Sequence, residues 1–171
     1  MNANLLVTYD PNHAGSAKEE IGLIMKKIKA KPKFLKQSTQ GLFEIYIPKP
    51  KEIVKKLNAI CRKNSDFFVM TYHYTPIEKW VRTDVKTLQK EIKKYVPKIK
   101  VKERWKMDLN KRRYDKIGSR DLIMKLTEVV DRMEVDLENP EKIIKVEIVG
   151  NRTGLALLGK DEFLDVPKIK G

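Results

Sequence analysis

The sequence is poor in the groups that catalysis usually requires. It has one cysteine, Cys61, so no disulfide forms within the chain and no cysteine-cluster zinc site can be built. Its only histidines, His13 and His73, stand far apart in sequence, without the close ligand spacing of metal sites. No stretch approaches the ~18 consecutive apolar residues of a membrane span. The start, Met1-Asn2-Ala3-Asn4, has no charged segment leading into an apolar core, so no signal peptide is expected. A reduced, cytoplasmic setting is the expectation that follows. There is no Gly-x-Gly-x-x-Gly. Asn12-His13-Ala14-Gly15-Ser16 lacks the second glycine and the Lys-Ser/Thr of a phosphate-binding loop. The expectation is a chain with no catalytic residues, no metal and no cofactor.

Positive charge is abundant, and it is uneven. The 171 residues carry 37 Lys+Arg against 23 Asp+Glu, a net charge of +14. Residues 1–80 have 14 basic and 7 acidic groups, and residues 82–125 have 16 and 6. Residues 126–171 have 7 and 10. A basic middle followed by an acidic tail implies one positive face, which attracts polyanions, nucleic acid above all. Lysine outnumbers arginine 29 to 8, a bias also found in hyperthermophile proteins.

The first half reads as βαββαβ. Leu5–Tyr9 is apolar and β-branched and runs into the turn cluster Asp10-Pro11-Asn12. Ser16 and Glu19 form a capping box. Ile21, Ile24, Met25 and Ile28 follow at helical spacing. Phe34–Gln37 and Leu42–Ile47 flank a hairpin signal at Ser38–Gly41. Pro50 opens a helix with Ile53, Leu57, Ile60 and Cys61 on one face, a packed setting for the thiol. Phe67–Tyr72 is the last strand. This order predicts a ferredoxin-like domain over residues 1–75. The same topology underlies the RNA recognition motif, but Gln40–Ile47 puts Glu44 where a stacking aromatic belongs. That motif is therefore rejected.

Tyr74–Trp80 reads as a connector. Thr83 or Asp84 can cap the next helix, which has Val85, Leu88, Ile92 and Val96 on one stripe and Lys86, Lys90, Lys93 and Lys94 opposite. Trp105, Met107 and Leu109 then alternate with Arg104, Lys106 and Asp108, a half-buried strand. Asn110–Gly118 is a polar loop, and Ser119 can cap a helix burying Leu122, Ile123, Leu126, Val129, Val130 and Met133. Ile143–Val149 and Leu155–Leu158 are strands joined by a hairpin at Gly150–Gly154.

Two runs here carry a resemblance. Trp105-Lys106-Met107-Asp108-Leu109-Asn110-Lys111-Arg112-Arg113, with Ser119-Arg120-Asp121-Leu122-Ile123 after it, resembles the strand, basic loop and helix start of a THUMP domain. Val135-Asp136-Leu137-Glu138-Asn139-Pro140, followed by Ile144–Ile148, resembles that family's Val-Asp-Leu-x-x-Pro segment and next strand. The resemblance covers roughly residues 80–165. It implies an α+β protein, with a ferredoxin-like domain over 1–75 and a THUMP domain over 80–165. It further implies an RNA-binding module of tRNA modification. THUMP domains are mostly fused to catalytic domains, and a chain ending at Gly171 is similar to stand-alone members that present tRNA to a separate cytidine acetyltransferase. The implied partners are tRNA, gripped by its single-stranded acceptor end, and that acetyltransferase, with no membrane involved. The implied RNA-binding residues are Lys106, Lys111, Arg112, Arg113, Lys116 and Arg120. Two other readings stand beside the adaptor: a subunit of an RNA-modifying enzyme with an unrecognised active site, and a general RNA-binding protein.

Overall fold

The computed structural model describes all 171 residues, Met1–Gly171. In chain order the elements begin with β1 (Leu5–Tyr9), α1 (Ala14–Lys27), β2 (Lys33–Phe34), β3 (Leu42–Tyr46), α2 (Pro50–Lys63) and β4 (Thr71–Pro76). There follow β5 (Lys79–Arg82), α3 (Val85–Lys93), β6 (Trp105–Arg112), α4 (Ser119–Thr127), β7 (Lys142–Val149) and β8 (Arg152–Leu158). The chain closes with β9 (Leu164–Asp165) and α5 (Val166–Lys170). No helix is long and apolar enough to cross a membrane. Two units result: Met1–Ile77 with Asp161–Gly171, and Glu78–Lys160.

In the first unit the strand order is β2-β3-β1-β4-β9, with every neighbouring pair antiparallel. The period of two in β1 sends Leu5, Val7 and Tyr9 to one face, where they pack with Phe43, Ile45 and Tyr74. Ala17, Ile21, Ile24 and Met25 of α1 and Ile53, Val54, Leu57 and Cys61 of α2 cover that face. Burial pushes the Cys61 thiol up from its ordinary pKa, which disfavours a reactive thiolate.

Local hydrogen bonds move several boundaries from their expected places. The Asp10 carboxylate accepts from the Asn12 N–H at 3.0 Å and pairs with His13 Nδ1 at 3.0 Å. His13 is then the N-cap, the helix begins at Ala14, and the Ser16–Glu19 capping box does not form. Nearby, Glu20 accepts from the N–H groups of Val69, Met70 and Thr71 at 2.8–3.0 Å and from Thr71 Oγ1 at 2.6 Å. Those donors are thereby lost to a strand ladder. The segment expected as strand from Phe67 is instead a 3-10 turn, Ser65–Phe67, and β4 starts only at Thr71. Phe68 still reaches the core, edge-on to Tyr74. The expected connector Tyr74–Trp80 is mostly strand, shared between β4 and β5.

The domain limits expected at 1–75 and 80–165 shift at the C-terminal end. Leu164 and Val166 are buried in the first unit's core. The Asn58 amide donates to the carbonyls of Asp161 and Phe163 at 2.9 and 3.1 Å. Arg62 pairs with Asp161 at 2.7 Å, and His73 and Asp165 are register partners. Apolar burial and a satisfied buried amide both draw this segment back.

The second unit has strand order β5-β8-β7-β6. β6 and β7 run parallel, from Trp105 opposite Lys142 to Arg112 opposite Val149. Parallel neighbours need a crossover, and α4 provides it. Met107, Ile144, Val146, Ile148, Leu155 and Leu157 form the sheet side of a core closed by Leu88 and Ile92 of α3 and Leu122 and Leu126 of α4. Asp84 is the cap of α3, accepting from the Thr87 N–H at 3.0 Å. Gly118, not Ser119, is the N-cap of α4, and that helix stops at Thr127, so Met133 lies outside it and exposed.

Leu164→Ala tests the returning segment. A fully buried leucine in the first unit's core should cost about 2–5 kcal/mol on truncation, read from urea unfolding of the full chain. A loss below ~0.5 kcal/mol, the level of ordinary surface changes, would mean that Asp161–Gly171 is not part of that core.

Candidate nucleic-acid interface

The β6–β7–β8–β5 registers bring arginines into one row. Arg112 of β6 stands opposite Val149, Val149 opposite Arg152 of β8, and Arg152 opposite Arg82 of β5. A strand end carries this row, so the elements that follow each strand gather beside it. The turn between β7 and β8 is here, with Gly150 at φ 64°, a conformation that glycine adopts without steric cost. The Gly150 N–H donates to the Arg112 carbonyl at 2.8 Å. The Thr83 N–H donates to the Asn151 carbonyl at 2.9 Å, and the Thr83 and Thr153 hydroxyls are bonded at 2.8 Å. The N-termini of α3 and α4, which follow β5 and β6, are therefore at the same end.

Both helix starts add positive potential from unpaired backbone N–H groups. They are not equal. Asp84 caps α3, and its carboxyl is held below the usual range, first by the Thr87 N–H and then by the Thr87 hydroxyl. It is ionised and offsets that helix end. The N-cap of α4 is Gly118, and no side chain caps it. The α4 start has no capping carboxylate; Arg120 and Asp121 lie in its first turn and Lys116 two residues before the cap, all three exposed.

The six sequence-expected residues take different places. Lys111 is in β6, and its Nζ donates to the Ile117 carbonyl at 2.8 Å, which ties down the 113–118 loop. Arg112, expected in a polar loop, is also in β6. It is only partly exposed and pairs with the buried Glu147 at 3.1 Å. Glu147 also accepts from the Asn110 side chain at 3.2 Å and lies 3.5 Å from buried Lys145, whose Nζ is bonded to Asp108. Arg113 is exposed, at φ 54°, with its guanidinium facing the open side of Gly150. Arg113, Lys116 and Arg120 thus line the loop and helix start. Lys106 is six residues back along β6, about 20 Å at the usual strand rise, and is separated from that cluster.

Two residues at this end escaped sequence reasoning. Arg82 lies in a strand that the connector reading hid. Arg152 lies in a stretch taken for hairpin loop, and its guanidinium sits 4.4 Å over the Trp80 ring, a cation–π contact. A strand reading of Lys79–Arg82 would have exposed Arg82, since Trp80-Val81 is an apolar pair beside Lys79 and Arg82.

The model of the family described as the THUMP domain matches residues 82–158, and the second unit accordingly carries a THUMP domain. No curated protein matches the chain. Among solved structures, PH1313 from Pyrococcus horikoshii Ot3 is similar with a TM-score of 0.61 and 16% identity, over 92% of this chain and 54% of that one. TrmN from Thermus thermophilus gives 0.59 and 12%, over 90% and 44%. A 4-thiouridine synthetase in complex with RNA and ATP gives 0.56 and 15%, over 96% and 42%. At these identities the likeness is one of fold. The chain spans about half, or less, of the length of these proteins.

The two adjacent arginines should separate in their effects. Arg112→Ala leaves buried Glu147 short of a donor and should cost about 1–3 kcal/mol. Arg113→Ala, on an exposed side chain, should change stability by no more than ~0.5 kcal/mol. Urea unfolding of both variants decides it, and equal losses would contradict the assignment of Arg112 to the buried ion-pair network.

Proposed function

We propose that this chain is a non-catalytic tRNA-binding adaptor, which grips the single-stranded acceptor end of tRNA at the arginine-lined end of its second unit. It presents the tRNA to a separate modifying enzyme, a cytidine acetyltransferase. The carrying observation is the gathering of Arg82, Arg152 and Arg113 at the sheet end where α4 starts without a side-chain cap. Arginine binds phosphate bidentately and stacks on unpaired bases, and the helix start offers N–H groups to the same oxygens. The THUMP match over residues 82–158 supports an RNA ligand in tRNA modification. In this reading Arg113, Lys116 and Arg120 touch phosphates, while Lys111 and Arg112 hold the loop that carries them. The first unit serves as a ferredoxin-like platform, on the strand order β2-β3-β1-β4. The setting is cytoplasmic.

A second reading has one observation in its favour. The similar 4-thiouridine synthetase bears ATP as well as RNA, so this chain would be the RNA-binding part of a modifying enzyme.

Neutralising about three phosphates on single-stranded RNA should give a slope near −2 for log K against log salt, from roughly −0.7 per contact. Arg113→Ala with Arg120→Ala should weaken tRNA binding about tenfold or more, which ~1.4 kcal/mol represents, and should flatten the slope. A salt-independent affinity would contradict the basic-end reading. Nucleoside mass spectrometry of tRNA incubated with the protein and acetyl-CoA, ATP or S-adenosylmethionine should show no new product. A product would favour the enzyme reading.

A further inference from the structure

The first unit departs from local preference twice along one helix, and both departures fall among lysines. Gly22 stands in the middle of α1, and glycine is a poor helix former. Packing does not require it: Gly22 is exposed, and a methyl group added there would meet nothing within 4 Å. The reverse holds where the helix ends. Ile28 is the C-cap, the Ala30 N–H donates to the Met25 carbonyl at 2.9 Å and the Lys29 N–H to the Lys26 carbonyl at 3.1 Å. This pair of bonds puts residue 29 in the left-handed position that glycine usually fills. Lys29 holds it, at φ 56°. Glycine thus occupies a helical site that favours a side chain, and lysine a turn that favours glycine. Departures of this kind are expected at functional sites.

From Ile21 to Phe43 the chain has six lysines, no arginine and no carboxylate. Lys18, Lys26, Lys29, Lys31, Lys33 and Lys36 are all exposed, and none forms an ion pair. Cations on α2 are held differently: Lys51 and Lys55 face Glu162 at 3.9 and 3.8 Å, and Arg62 pairs with Asp161. Lys18 Nζ lies 4.8 Å over the Phe34 ring, which sets this flank of α1 beside β2. Gly22 and Lys26 follow Lys18 at successive turns on that flank. Lys27 points the other way and covers the Phe67 ring at 4.1 Å, so the exposed Leu23, Phe67 and Val69 gather on the far flank. Glu19 bounds the patch one turn before Gly22, and Glu20 is held by the amides of 69–71. Dipole compensation explains Lys26, and protection of an edge strand explains Lys33. Neither explains Lys18, Lys29, Lys31 or Gly22.

We propose that Lys18, Lys26, Lys29 and Lys31, set around Gly22, are a contact for the phosphate backbone of double-helical RNA. This deepens the proposed function and rests on its RNA ligand, adding a paired segment to the unpaired end. Lysine is a point charge without the planar fork that chelates and stacks, which suits a repeating row of phosphates. Lysine is depleted at protein–protein interfaces. A membrane-bound helix buries an apolar face, whereas Ile28, Ala30 and Phe34 in this stretch pack against the first unit's own core. At Gly22 the missing side chain lets a phosphate strand approach the helix backbone closely between Lys18 and Lys26.

The probe is a blunt RNA duplex of about 16 base pairs, the span of a known duplex-binding module, titrated into the ¹⁵N-labelled full-length chain. Single-stranded RNA is titrated in parallel. The duplex should shift the amides of residues 18–36. Gly22→Gln keeps every charge, yet it should weaken the duplex about tenfold, the ratio that ~1.4 kcal/mol represents. It should also raise the melting temperature, because glutamine is the better helix former. Lys29→Gly should raise the melting temperature too, and should lower the steepness of the duplex salt slope by about 1. Lys56→Gln, which removes one exposed charge from α2, should do neither. Undiminished duplex affinity in Gly22→Gln and Lys29→Gly, or an equal loss in Lys56→Gln, would reduce the patch to a solvated surface and overturn the proposal. Duplex shifts confined to 112–120 would overturn it and leave the proposed function standing. Duplex shifts at 18–36 without any binding of single-stranded RNA would support this contact and contradict the acceptor-end reading. Capture by phosphatidylglycerol vesicles, lost in Lys29→Gly, with no duplex binding would make the patch a membrane surface and overturn the proposal.

Discussion

The parallel pairing of Trp105–Arg112 with Lys142–Val149 is the constraint on which the second unit depends. Eight residues in continuous register fix the face to which every side chain of β6 points. Met107 and Leu109 go to the helices, while Asp108, Asn110 and Arg112 go to the face that carries Lys145 and Glu147. A slip of one residue would exchange the two sets and place charges in the apolar core. The buried polar network on the far face opposes the same slip, since Glu147 would lose Asn110 and Arg112 together. Parallel strands also oblige the chain to cross from one end of the sheet to the other. That crossing puts the α4 start beside Arg112 and delivers the Arg132–Asn139 segment to Trp105, at the opposite end of the ladder.

The two ends consequently differ in chemistry. One gathers arginines and helix N-termini. The other holds a pinned chain with carboxylates and exposed aliphatic side chains. The uneven charge along the sequence, basic over 82–125 and acidic over 126–171, becomes in part a spatial division, because the crossover separates Lys111–Arg120 from Asp131–Glu141.

Much of this was legible in the sequence. An apolar, β-branched run marked β1, a hairpin signal marked β3, and alternation marked the start of β6. Helical spacing marked the buried faces of α1 to α4, and the Lys111–Arg113 run marked the loop. Three of the failures share one cause: a side chain took a backbone group whose fate the apolar pattern does not foretell. Glu20 captured the amides of 69–71 and delayed β4. Asp10 drew in Asn12 and His13 and moved the start of α1. Asn58 received the carbonyls of Asp161 and Phe163, which returned the last residues to the first unit. In the candidate site, charge alone could not separate Arg112 from Arg113. Their roles diverge because β6 runs as far as Arg112, within reach of Glu147, and Arg113 turns out of the strand with a positive φ. The Val-Asp-Leu segment was legible as a motif, but its work of holding a strand end through Trp105 and Arg132 was not.

In the proposed function the arginine-lined end, and not the acidic crossover, meets RNA. A short single-stranded RNA ending in the sequence of a tRNA acceptor end, titrated into the ¹⁵N-labelled full-length chain, tests it most directly. Amides of residues 82–85, 112–120 and 150–152 should shift together, and those of 131–138 should not move. Shifts centred on 131–138, or on the lysine-bearing face of α3 with none at 112–120, would contradict it.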